Sequence, residues 1–183
     1  MIAYLRDLAL IMLFGLPIWL LLRRPWKRCP LLREAVMAFF ALFMTGLMLF
    51  TLEGSWNTPS NMLASAKERI ATMDRIELKP FNNIVKFFHS TSLDQFLINI
   101  VGNIVMFMPW GFCLPFLWQR FRSLPAMILM CLALTLFIET TQLFIDRHVE
   151  TDDVILNFIG GMTGAGLWRL SALFHSALQQ KRS

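Results

Sequence analysis

Charge is scarce in this chain. Asp, Glu, Lys and Arg make up 16% of its 183 residues, where a soluble domain carries roughly a quarter. The 56% that is apolar is gathered into runs near ~20 residues, about what a helix needs to cross a hydrocarbon core of roughly 30 Å. Together these exclude most soluble readings. Cysteine is also rare, and its count is odd: Cys29, Cys113 and Cys131. No CxxC or His-paired spacing exists, which excludes a disulfide framework and a zinc site. Cys113 and Cys131 lie inside apolar runs and read as small apolar fillers. There is no phosphate-loop signature, no activated serine or cysteine nucleophile, no internal repeat and no low-complexity tract. No cofactor and no resident metal are expected, and no pattern sets an oligomeric state. The net charge of +5 and pI near 9.6 would suit a nucleic-acid partner, but no basic face is interleaved with aromatics. The expected partner is the lipid bilayer.

What the chain does have is a set of apolar spans separated by short polar links. Span one covers about Tyr4–Leu22. It is read as an uncleaved helix, because no small-residue cleavage motif follows and Leu21-Leu22-Arg23-Arg24-Pro25 marks a membrane exit. Span two is about Glu34–Leu52 and span three about Leu93–Trp118, with Pro109 and Pro115 inside it. Span four is about Pro125–Ile145 and span five about Val154–Phe174. The expected fold class is therefore all-α: a polytopic transmembrane helix bundle of about five spans.

Lys and Arg set the orientation. Arg23, Arg24, Lys27, Arg28 and Arg33 lie between spans one and two, Arg120 and Arg122 between three and four, and Lys181 and Arg182 in the tail. The positive-inside rule puts these three segments in the cytoplasm. The N-terminus and the loops 53–92 and 146–153 are then outside, in a multi-pass membrane protein. Within the long loop, Leu63, Ala66, Ile70 and Met73 recur at helical spacing among charged residues. They predict an amphipathic helix on the membrane or on the bundle, or else a short solvated loop helix. Ser92 to Gln95 fits a capping box at the start of span three. The chain divides into residues 1–75 (two N-terminal spans and the start of the outer loop), 76–174 (a three-helix region) and 175–183 (a basic cytoplasmic tail).

Polar groups inside spans are costly and call for individual accounts. Asn99 and Asn103 are four apart and share a helix face. Met108-Pro109-Trp110-Gly111 is expected to kink or break span three, since Pro109 removes a donor and clashes with the preceding turn. Glu139, Gln142 and Asp146 share one face near the end of span four. A lone Glu there must be protonated, paired or facing a wet cavity. Asp152 and Asp153 stand where a helix N-terminus favours negative charge, with Asn157 four residues past Asp153. Gly160 and Gly164 make a small-xxx-small step for close helix approach. In the expected topology Asn99, Asn103, Glu139, Gln142, Arg147, Asp152, Asp153 and Asn157 all lie toward the outer side. Three helices thus direct polar groups to one depth, which predicts a polar pocket open to the outer leaflet.

The same residues carry a family resemblance. The run from Asn99 through Asn103 to Phe107-Met108-Pro109-Trp110-Gly111 resembles the Asn-rich, Phe-x-Pro-x-Gly segment of the VanZ-like family. Glu139-x-x-Gln142, Arg147, Asp152-Asp153 and Asn157-x-x-Gly160 are similar to its second motif, and Lys79-Pro80-Phe81-Asn82 to its short Pro-Phe element. The match runs over about Lys79–Leu167. The family takes its name from a membrane protein associated with reduced susceptibility to teicoplanin-type glycopeptides, so the resemblance implies a role in the bacterial cell envelope.

Two classes of function are open at this point. In the first, the pocket binds a lipid-linked envelope molecule or a lipoglycopeptide. Arg147 would contact a phosphate or carboxylate, and Asn99, Asn103, Glu139, Gln142, Asp152, Asp153 and Asn157 would supply the rest of the polar lining. The acidic neighbours of Arg147 would compete for it. In the second, the protein is an enzyme acting on a cell-wall lipid intermediate, with Glu139 as general acid or base and Asp153 or Asp152 as second carboxylate. A loop histidine, His148, would then shuttle protons or join Asp152 on a metal. A scaffold whose polar groups only hold helices together is the plainer third option.

Overall fold

The structure is a computed structural model that describes residues 15–21, 30–54, 56–89 and 93–180. Residues 15–21 are helical; most of span one, and the capping residue Ser92, lie outside the described residues. Helix α1 spans Leu31–Thr51, α2 Pro59–Thr72 and α3 Asn82–His89. Helix α4 begins at Leu93–Phe96, passes through a π turn at Leu97–Val101 and continues as α-helix over Gly102–Leu117. Helix α5 is Leu124–Phe144 and α6 is Thr151–Gln180. Two short strands, β1 (Ile76–Glu77) and β2 (Val149–Glu150), pair in parallel with Ile76 opposite Val149. The helical fold class holds, and the two-residue ladder is an addition that no alternation in sequence announces.

Three helical stretches are long and apolar enough to cross a membrane: Leu31–Thr51, Leu97–Leu117 and Leu124–Phe144. Their outward faces carry Leu129, Phe137, Leu136 and Val105, each more than half exposed. In water such faces would be an aggregation hazard; in lipid they meet a matching solvent. This is a membrane protein. Helix α6 is 30 residues long, but its glycines, Asn157 and Arg169 make it less apolar than those three.

Helices α4 and α6 run parallel and lie unusually close. A Cβ at Gly164 would fall 1.9 Å from the carbonyl oxygen of Met108, and one at Gly160 2.2 Å from that of Ile104. The expected small-residue step is thus a backbone-to-backbone seam. The expected break at Pro109 does not occur: the helix runs on through both prolines to Leu117. Helix α1 packs antiparallel to α4, stacking Phe40 on Trp110 and donating from the Arg33 guanidinium to the Leu117 carbonyl at 3.0 Å. Met37, Phe40, Phe107, Trp110, Cys131 and Ile138 build the shared core with Ala165 of α6. Cys113 and Cys131 are buried free thiols in that core.

Residues 53–89 form a cap over one end of the bundle. The loop helix exists. Of its apolar stripe Ala66 is buried and Leu63, Ile70 and Met73 are exposed, and Arg69 is buried as well. The reason is the end of α5. Its last carbonyls have no intrahelical donors, and Arg69 supplies them: Nη1 donates to Leu143 at 2.6 Å and Gln142 at 3.4 Å, and Nη2 donates to Arg147. A cation there also complements the negative end of the helix dipole.

Candidate functional site

The polar end of the bundle is assembled mostly from groups that finish one another's helices. Helix α5 ends with Asp146 in the left-handed region (φ 63°) and the Arg147 N–H donating to the Gln142 carbonyl at 3.1 Å. This Schellman-type turn aims Gln142 and Arg147 at the C-terminus of α1. Gln142 Nε2 donates to the Thr51 carbonyl at 2.9 Å, and Arg147 Nη1 to those of Glu53 at 3.0 Å and Phe50 at 3.4 Å. The guanidinium thus goes to helix-end carbonyls, not to the acidic neighbours expected to compete for it.

Asp152 is buried and serves a helix other than its own. Its carboxylate accepts from the N–H groups of Phe81, of Asn83 at 2.7 Å and of Ile84 at 2.9 Å. These are the first amides of α3, so Asp152 caps that helix from 69 positions away in sequence. Phe81 adopts positive φ to present its amide, which explains why a Pro-Phe element precedes the motif residues: the two are one structural unit.

Asp153 points the other way, toward α4. Asn103 Nδ2 donates to it at 2.9 Å and to the Asn99 backbone carbonyl at 3.0 Å. Asn99 sits in the π turn, a distortion often found at functional positions. Asp153 precedes the apolar stretch of α6. Its burial, reinforced by the Glu150 and Asp152 carboxylates, pushes its pKa up to about 6, while Arg147 and the Asn103 hydrogen bond pull it down.

Between these groups lies a cavity of about 800 Å³. Asn99, Asn103, Gln142, Arg147, Asp152 and Asp153 line it, as do Asn83, Asp146, His148 and Glu150. Phe50, Leu97, Ile98, Met106 and Leu156 supply an apolar side. Six of the eight sequence-predicted residues therefore converge on one space. The other two do not reach it. Glu139 is buried beneath the wall, accepting from the Glu150 N–H at 3.2 Å. Asn157 is buried one turn deeper in α6, and its Oδ1 has no hydrogen-bond partner among the described residues. Two polar lining residues, Glu150 and Asn83, escaped sequence reasoning. Glu150 accepts from Asn83 Nδ2 at 2.6 Å; both lie in loop-like sequence whose fold into β2 and α3 depends on contacts distant along the chain.

With this geometry in place, comparison with known proteins gives one result. Residues 37–174 match the VanZ/LLP1 family. The chain belongs to that family. The match begins at Met37 in α1, well before the Pro-Phe element, and so takes in the cap and the helix that Gln142 and Arg147 complete. No curated protein and no solved structure matches the chain. In this VanZ-family protein, then, the second motif divides its labour. Gln142, Arg147 and Asp152 hold helix ends, while Asn103, Asp153 and the neighbouring Glu150 face the cavity with hydrogen-bonding capacity to spare.

Proposed function

We propose that this VanZ-family membrane protein binds a lipid-linked or lipid-tailed cell-envelope molecule in the cavity, and through it affects susceptibility to lipid-tailed glycopeptides. The observation that carries the reading is the two-sided lining. Amide and carboxylate groups stand against Leu97, Ile98, Met106 and Leu156, in a volume within the usual range for small-molecule sites. A head group would meet the polar wall and the start of its tail the apolar one. The positive-inside expectation places the cap on the outer side of a bacterial inner membrane, with the C-terminus in the cytoplasm. Arg33, Arg120, Arg122 and Arg169 cluster at the opposite end of the bundle in keeping with that orientation.

The enzymatic alternative has less support. Its proposed acid–base group, Glu139, does not line the cavity, and its Oε2 already accepts from a backbone amide.

The test is the growth-inhibitory concentration of a lipid-tailed glycopeptide in a sensitive host carrying empty vector, wild type or Glu139→Gln at matched protein levels. Protection by wild type and mutant alike is expected, because Gln at this position still accepts from Glu150. Protection lost only in the mutant would favour acid–base chemistry. Protection by neither would overturn the envelope role in glycopeptide susceptibility.

A further inference from the structure

Helix α3 is anchored by its polar end and leaves part of its apolar side uncovered. It has eight residues, too few to be stable alone in water, and such a helix ordinarily depends on burying its apolar face. Here Ile84 turns toward the cavity. Val85, with Phe81 just before the helix and Leu78 in the approach to it, stays 50–61% exposed. The Asp152 carboxylate holds the amides of Phe81, Asn83 and Ile84, so the helix is fixed on the bundle and this side cannot roll inward. Asn82 and Lys86, one turn apart, carry the polar side, and Lys86 is exposed. Four positions past His89 the chain enters α4, and α3 packs against the first turns of that helix. Those turns expose Leu93, Leu97 and Ile98 and lead into the apolar stretch Leu97–Leu117. The uncovered side of α3 therefore lies at the depth where the span meets the edge of the hydrocarbon core.

We propose that α3 and the residues leading into it form a membrane-surface element, with Leu78, Phe81 and Val85 bedded in the lipid leaflet on the cap's side. Position singles out lipid among the possible occupants. These side chains lie level with the lipid-facing Leu93, Leu97 and Ile98, and an interfacial helix buries its apolar side to a depth of about 5–10 Å, which is the first turns of a span. The polar side suits the same seat, because the long stem of Lys86 carries its ammonium toward lipid phosphates. The seating does not depend on what the cavity takes. It does set the height of the cavity's rim at head-group level, since Asn83 and Ile84 of the same helix line it.

Photo-crosslinking of the full chain in phospholipid nanodiscs tests this. Benzoylphenylalanine replaces Leu78, Phe81 or Val85 singly, where an exposed side chain leaves room for a larger ring. Ile98 on α4 serves as the lipid-facing reference and Glu68 on α2 as the water-facing one. After irradiation, intact mass separates lipid adducts from chains joined to each other. Lipid adducts at Phe81 and Val85 should come within about twofold of those at Ile98 and exceed those at Glu68 by about tenfold, the ratio that about 1.4 kcal/mol per side chain leaving water would give. Yields no higher than at Glu68 would put this side in water and overturn the proposal. Chain-to-chain adducts in place of lipid adducts would assign the face to a second copy and overturn it equally. A wild-type measurement needs no substitution: a phospholipid spin-labelled near its head group should broaden the Val85 amide signal as strongly as that of Leu97. Stronger broadening of Val85 by a water-soluble gadolinium chelate than by the labelled lipid would also overturn the seating.

Discussion

Replacing Arg69 with Met separates the cap from the bundle without opening a large hole. The guanidinium makes two good hydrogen bonds, to the carbonyls of Leu143 and Arg147, and two marginal contacts, to Gln142 at 3.4 Å and Asp146 at 3.9 Å. A hydrogen bond to a charged group contributes about 1.5–3 kcal/mol, so the two good ones give roughly 3–6 kcal/mol gross. Removing the buried cation recovers part of its desolvation cost, which leaves a net loss of about 3 kcal/mol. That corresponds to roughly a hundredfold rise in the population of the opened cap. Hydrogen exchange measured in non-ionic detergent should therefore accelerate by about that factor across α2, with α4 and the α6 seam little changed. Arg69→Lys should recover only part of the protection, since an ammonium cannot span the same carbonyls. Unchanged exchange in α2 of the Met variant, or full protection with Lys, would refute the argument that this side chain fastens the cap.

Three further outcomes follow from the same geometry. Gly164→Ala places a methyl 1.9 Å from the Met108 carbonyl and should cost about 3 kcal/mol, whereas Gly166→Ala meets nothing within 4 Å and should be neutral; equal thermal stability of the two variants in detergent would contradict the seam. Asp152→Asn removes the charge from an acceptor of three amides and should cost about 1–2 kcal/mol, read as faster exchange at the start of α3; a change confined to α6 would show that Asp152 caps its own helix instead. Asp153 has a pKa raised to about 6 from the ordinary 3.8, so its contribution to stability is full below about pH 4 and lost as pH rises through about 6. Asp153→Asn should therefore gain in thermal stability relative to wild type at pH 8 compared with pH 4, and a gap independent of pH would remove the electrostatic cost assigned to this carboxylate.

Periodicity and apolar run length were enough to find α1, α4, α5 and α6 to within a few residues, because lipid solvation depends on composition over a long window. The convergence of Asn103, Gln142 and Asp153 was legible for a related reason: polar groups in apolar sequence have few places to go. The cap was legible only in outline. Arg69 looked like one more solvated charge on a loop helix, and its burial depends on the end of α5, more than 70 residues away. Leu63, Ile70 and Met73 lie exposed on the expected helix, and nothing in their spacing indicated that Arg69 would complete the carbonyls of α5. Pro109 predicts a kink or a break, and the helix continues through it to Leu117. Asp152 and Glu139 show the same limit: sequence identified them as unusual but not which backbone amides they would serve.

The distance between each helix end and the residue that completes it has a consequence for biogenesis. Thr51 is capped by Gln142, 91 positions later, and the first amides of α3 by Asp152, 69 positions later. At ~5–20 residues per second of synthesis, the end of α1 waits roughly 5–20 s for its donor. During that interval α1 and the cap have bare helix ends, because Gln142 and Asp152, which complete them, have not yet emerged. The last two helices thus act as the fastening step of assembly. A nascent chain halted before residue 142 would present quality-control proteases with unsealed ends, while one that has passed residue 152 would not.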